Sequence, residues 1–396
     1  MEYSIEHILI VSSLLLLLSV VASKASQTVG IPALLLFLAI GMLAGSEGIG
    51  GIYFNDVKVT QFVGTIALCF ILFAGGLETN WLSVKPIIKD GILLSTVAVV
   101  ISTAIVGLAS YYILHFSIRE SLLLGAIVSS TDAAAVFNIL KLYKIGLNNR
   151  LKTLIEFESA SNDPIAVILT MSIIQSFYIV DLNVYTLITD FVLQIILGVI
   201  IGYGMGKFTG WFFKTVNLDN VGLYHALSVG IIFFVYSITN LIGGSGFLAV
   251  YLCGLVLGYE KFAQKSETIH FYEGVTWLMQ ICMFLTIGLL VFPSKLVEVF
   301  WVDLLMALIL VLIARPISVY LTLLKSRFDF KDKMIISCLG FRGAIPIILA
   351  TFPLIAKIPQ ADLIFNLVFF IVLVSVLIQG VSAKKILQLL NKSGRN

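Results

Sequence analysis

Apolar stretches of about 17–25 residues return along the whole chain, separated by short polar or Gly/Pro breaks. An α-helix of that length crosses the hydrocarbon core of a bilayer. The breaks divide the sequence into 13 expected spans: residues 5–22, 31–46, 60–77, 88–113, 119–141, 151–175, 190–212, 221–241, 246–258, 273–291, 301–323, 334–355 and 362–383. The pattern predicts an all-α polytopic membrane protein.

Composition agrees: of 396 residues, 59% are hydrophobic and 12% charged, and the mean hydropathy is +1.07. Glu2 and Glu6 precede the first run and no Lys or Arg does, so the basic flank of a signal peptide is missing and the run reads as a retained helix. Cys69, Cys253, Cys282 and Cys338 lie far apart in apolar runs and suggest neither disulfides nor a metal site. The position of the basic residues fixes an orientation. With the N-terminus outside, 19 Lys and Arg fall in inside loops and the C-terminal tail and 4 in outside loops, while Arg315 and Arg342 fall within spans. That bias follows the positive-inside rule and leaves the C-terminus cytoplasmic.

The pattern also repeats. A shift of about 213 residues lays 30–45 over 244–258, with Gly41 and Gly45 over Gly254 and Gly258. The same shift lays 61–77 over 271–289, and SSTDAAAV (129–136) over RGAIPIIL (342–349). Six spans, one linker and six more spans make the second copy inverted relative to the first. The expected organisation is a first repeat at 1–185, a linker helix at 186–215 and a second repeat at 216–396. About a dozen residues follow the last span, Lys384, Lys385, Lys392 and Arg395 among them, and no separable soluble domain is expected. Inverted repeats are typical of secondary transporters, whose substrate site lies near the midplane.

One segment stands out within this apolar background. In FESASNDPIAV (157–167), Glu158, Ser159, Asn162 and Asp163 fall within roughly 140° of one helical face. Charges at membrane depth are costly and usually functional. Asp132, beside Ser129, Ser130 and Thr131, brings a second carboxylate to similar depth from the preceding span. Carboxylates, hydroxyls and freed carbonyls are the oxygen ligands that hard monovalent cations require. Burial favours the protonated form of a carboxyl group, so the same oxygens can hold a proton or a cation. Either acid could instead be a buried charge neutralised by Arg315 or Arg342, and Arg315 is expected to pair with Glu158. Glu156 reads as snorkelling toward loop lysines, and Glu78 as a solvated helix-end charge. Two glycines and Pro346 should interrupt the helix at Arg342, opposite the break at Asp132. Asp132 and Arg342 would then offset opposed half-helix dipoles.

Other chemistries fit less well. GGSG at 243–246 suggests an intramembrane serine protease, but His7, His115, His225 and His270 lie near span ends or in loops, away from any base position. Neither aspartate carries the Gly-x-Gly-Asp of an aspartyl protease, and no phosphate-binding loop appears.

Together, Glu158-Ser159-Ala160-Ser161-Asn162-Asp163, Thr131-Asp132, Ala314-Arg315-Pro316 and Phe341-Arg342-Gly343 resemble the monovalent cation:proton antiporter superfamily, NhaP-type branch. The resemblance covers nearly the whole chain. It implies two discontinuous crossing helices in a core domain that moves like an elevator against a dimerisation domain. It implies Asp163 as the shared cation and proton carrier, with Asp132, Ser159 and the Thr131 carbonyl as further ligands. Asn162, Glu158, Arg315 and Arg342 are implied as a supporting network, and the Asn-Asp pair resembles that of electroneutral exchangers. SASNDP is most similar to potassium/proton antiporters of bacterial inner membranes, with sodium the competing ion. The expected protein is thus a Na⁺ or K⁺/H⁺ antiporter and not an enzyme. It is expected to work as a homodimer in the lipid bilayer of the inner membrane, without cofactor or nucleic-acid partner. A downhill cation channel and a sodium-coupled solute symporter are the rival readings.

Overall fold

The computed structural model describes residues 4–29, 32–132, 136, 140, 147–178, 184–216, 220–262, 264–294 and 300–392. Among them the chain is helical almost throughout, and the β-type pairing is one bridge between Gly45 and Ile52. The helices are α1 (Ile5–Val29), α2 (Ala33–Ala44), α3 (Val57–Glu78), α4 (Trp81–Ile113), α5 (Ile118–Ile127), α6 (Asn149–Ser176) and α7 (Val184–Thr215). They continue with α8 (Val221–Leu241), α9 (Gly246–Tyr259), α10 (Lys265–Leu290), α11 (Phe300–Thr322), α12 (Phe330–Cys338), α13 (Ala344–Ile355) and α14 (Ala361–Lys392).

Every expected span meets a helix. The fifth, expected over 119–141, is helix to Ile127 and non-helical over 128–132; beyond that Val136 and Leu140 are helical, and the other residues, including Lys141, lie outside the described residues, as do Lys144 and Lys295. The tenth starts at Lys265, ahead of the expected residue 273, because Glu267, His270 and Glu273 extend the helix in polar turns that hydropathy does not register. Helix starts are set locally. Ser117 caps α5 in a reciprocal box: its hydroxyl accepts from Glu120 N at 3.4 Å, and Glu120 Oε2 accepts from Ser117 N at 2.8 Å.

Seven helices among the described residues are long and apolar enough to cross a membrane alone. α1 and α7 turn most of their apolar side chains outward. Pairing joins the two halves of the chain: α2 packs on α10, and α3 packs on α9. Glycine permits both approaches. A Cβ on Gly41 would lie 2.5 Å from the Leu285 carbonyl oxygen, and one on Gly254 would collide with the Phe73 carbonyl. α4 and α11 meet where Ser102 Oγ donates to Ser318 Oγ at 3.1 Å, and each carries a π-helical turn, Leu94–Ala98 and Leu310–Ala314.

Two interruptions matter for the site. The chain leaves helix after Ile127 and is irregular through Ser130–Asp132, and it leaves helix again between Cys338 and Ala344. The two segments touch: Asp132 N donates to the Phe341 carbonyl at 2.8 Å.

Candidate functional site

The site begins with the backbone that these breaks expose. α5 ends at Ile127 with carbonyls that have no helical partner, a focus of partial negative charge. Arg342, 1% exposed, answers it: Nη1 donates to the carbonyls of Ser129 at 2.7 Å and Ser130 at 2.6 Å. Its own backbone N–H donates to Ser375 Oγ at 3.2 Å. Ser129 and Arg342, the positions superposed by the 213-residue shift, are therefore in direct contact. At the opposite polarity, the Asp132 carboxylate lies against Gly343, the residue that precedes α13, and any side chain at Gly343 would overlap it. An anion at a helix N-terminus and a cation at a helix C-terminus are each favourable.

α6 supplies the facing wall and stays helical through Pro164. Pro164 has no N–H to give the carbonyl of Ala160, so that oxygen loses its helical partner. Asn162 grips the broken segment twice: Oδ1 accepts from Thr131 N at 3.3 Å, and Nδ2 donates to Thr131 Oγ1 at 2.6 Å. The Thr131 hydroxyl also shares a hydrogen bond with Ser159 Oγ, 3.1 Å away. One turn beyond Ser159, Asp163 is 7% exposed, and its Oδ1 has no hydrogen-bond partner among the described residues. Asp132 and Arg342 are the charged groups whose fields reach it.

Glu158 faces the other way. It forms a two-pronged pair with Arg315, Nη1 to Oε1 at 2.6 Å and Nη2 to Oε2 at 3.0 Å, with both side chains buried. Arg315 reaches Glu158 past Gly340, where a Cβ would lie 2.5 Å from Nε. The pair ties α6 to α11 and stays off the cavity wall.

Asp163, Asp132, Ser159 and Ala160 line one cavity of about 340 Å³, bounded also by α3, α10 and the start of α13. Glu78 and Glu156 line it too. Sequence reasoning read Glu156 as a snorkelling side chain, and Lys152 does approach it at 3.8 Å. It read Glu78 as a solvated helix end, and that residue is indeed exposed, but into the cavity. The acidic residue after the small Gly75-Gly76 turn was the available signal. Tyr251 was not foreseen: Ser161 Oγ donates to its hydroxyl at 3.2 Å, joining α6 to α9.

Two interrupted helices crossing beside buried carboxylates, in an all-helical membrane protein, define the architecture of a secondary transporter. The family model described as "Sodium/hydrogen exchanger, transmembrane" matches residues 12–389, and the chain belongs to that family. The family is one of transporters and not of enzymes. Over 385 residues the chain is 42% identical to the K(+)/H(+) antiporter NhaP2 of Shewanella sp. (strain ANA-3), covering 96% of this chain and 66% of that protein. It is 41% identical over 372 residues to the K(+)/H(+) antiporter NhaP of Alkalimonas amylolytica, covering 94% of this chain and 65% of the relative. The chain thus spans just under two thirds of the length of these relatives. The structure of the sodium proton antiporter MjNhaP1 from Methanocaldococcus jannaschii superposes with a TM-score of 0.82 at 24% identity, covering 93% of this chain and 97% of that one. The fold is therefore that of MjNhaP1.

Proposed function

We propose that this chain exchanges Na⁺ or K⁺ for protons across the membrane by alternating access, one for one, with Asp163 as the shared site. The observation that carries the reading is the Asp163 carboxyl group: nine-tenths buried, with an unpartnered oxygen, in a cavity that also holds Asp132 and Ser159. A cation entering there is coordinated by Asp163, Asp132, Ser159 and the Thr131 carbonyl, whose hydroxyl is already engaged. A proton on Asp163 removes the charge that holds the cation, so the two compete. The empty, charged carboxylate does not cross, because an unpaired charge at depth is strongly disfavoured, and this couples the fluxes. Asn162 and Arg342 hold the broken segment, and the Glu158–Arg315 pair holds α6.

Residues 1–185 and 216–396 act as inverted repeats around the 186–215 linker, within a homodimer of the inner membrane. The N-terminus lies outside, so Glu78 and Glu156 mark the cavity as open to the inside. The similarity to the K(+)/H(+) antiporters of Shewanella and Alkalimonas favours K⁺. The test is proton flux in proteoliposomes under an imposed pH gradient, with Na⁺ or K⁺ added in turn. Wild type is expected to dissipate the gradient with at least one ion, and Asp163→Asn with neither. Current with an untouched pH gradient would make the chain a channel.

A further inference from the structure

A second cavity near the site is left unused by the exchange reading. It is an apolar groove of about 500 Å³ between α4 and α6 on one side and α7 and α9 on the other. Ile92 and Ile165 form one wall, and Val199 and Leu252 the other. Ile92 is 48% exposed and Val199 42%, so the groove opens on the apolar flank of the bundle. Its floor is the Ser161–Tyr251 hydrogen bond, two residues from Asp163.

The groove has a polar end and an apolar end. On α9 it runs from Leu248 to Tyr259, about 16 Å at 1.5 Å per residue. Half of a hydrocarbon core about 30 Å thick is about 15 Å, so the groove is one leaflet deep. Its inner end carries Trp81, Tyr203 and Tyr259, the residue types that sit at the headgroup level. Lys207 lies there too and shares Glu260 with Lys214, at 2.6 and 2.5 Å, which leaves the trio one net positive charge. Lys85 lies in register between Trp81 and Ile88 at the same end of α4.

We infer that this groove binds one phospholipid of the adjoining leaflet, an acyl chain along Ile92, Ile165, Val199 and Leu252 and an anionic phosphate at the Lys207 and Lys85 end. The occupant touches both the helix that bears Asp163 and the α7–α9 wall, so it bridges any displacement between them. That consequence rests on the exchange reading; the binding does not.

The test is native mass spectrometry of the full-length protein, purified from membranes and washed in delipidating detergent with an equimolar mixture of phosphatidylglycerol and phosphatidylcholine. Wild type is expected to keep about one phosphatidylglycerol per chain. Val199→Trp and Ile92→Trp fill the groove from opposite walls at exposed positions, and each is expected to lower that occupancy at least fivefold while the protein stays monodisperse. Equal retention of the two lipids, or unchanged occupancy in both filled variants, overturns the inference. If proton flux fails in wild type while lipid is still retained, the exchange reading falls and the lipid site stands.

Discussion

At the scale of single residues, the site divides into oxygens that face the cavity and side chains that hold them there. Ser159 does both, since its hydroxyl meets Thr131 and lines the cavity. Ser159→Ala removes one cavity oxygen, a cation ligand on the proposed reading, and one modest hydrogen bond worth about 1 kcal/mol. It is expected to raise the half-saturating cation concentration in the proton-flux assay about threefold to tenfold, since 1.4 kcal/mol is about tenfold. Glu158 and Arg315 belong to the holding set. Glu158→Gln strands a buried guanidinium and should destabilise the protein by about 3–5 kcal/mol in detergent unfolding, whereas Glu158→Leu with Arg315→Met recovers most of that loss. A single variant as stable as wild type would mean that water or lipid reaches the pair. Asp163, Asp132, Glu158 and the two arginines were legible in the sequence because charged residues at membrane depth are rare. The Ala160 carbonyl and Glu78 were not, because a peptide oxygen has no letter of its own and a helix-end acid looks solvated until a cavity is placed beside it.

At the scale of elements, the two interruptions are held by reciprocal contacts. Arg342 closes the end of α5, and Asp132 lies at the start of α13. Gly343 is what lets them cross, through lack of a Cβ and not through backbone freedom, since its φ is −103°. Gly343→Ala is expected to displace the Asp132 carboxylate and reduce proton flux at least tenfold while the protein still elutes as a folded species in size-exclusion chromatography. Full activity in that variant would separate Asp132 from the transport step. The breaks could be foreseen from Ser-Ser-Thr and from Gly-Phe-Arg-Gly with Pro346. The course of α6 through Pro164 follows the expected span 151–175, whereas the lost partner of the Ala160 carbonyl shows only once the helix is seen to continue past the proline.

At the scale of the whole molecule, orientation is the open variable that charge alone predicts. Cysteine substituted at Lys58 should react with an impermeant maleimide in intact cells, and cysteine at Lys331 only after the membrane is opened, in a background where the four native cysteines are replaced by serine or alanine. The reverse pattern would turn the cavity to the outside and invert the polarity of the proposed transport cycle. α1 and α7 present apolar surface outward, consistent with either lipid or a second copy against them.

By itself the sequence determined the helical class, the span order and the set of charged residues at depth. Those follow from hydropathy over one helix length and from the cost of a charge in hydrocarbon, both of which act locally. The pairing of α2 with α10 and α3 with α9, and the separation of the Asp163 cavity from an apolar groove, were decided only in three dimensions. They depend on contacts between residues far apart in the chain, such as Ser129 and Arg342, 213 positions apart. Close packing selects such contacts from many that the same apolar helices would permit, and no local pattern encodes that choice.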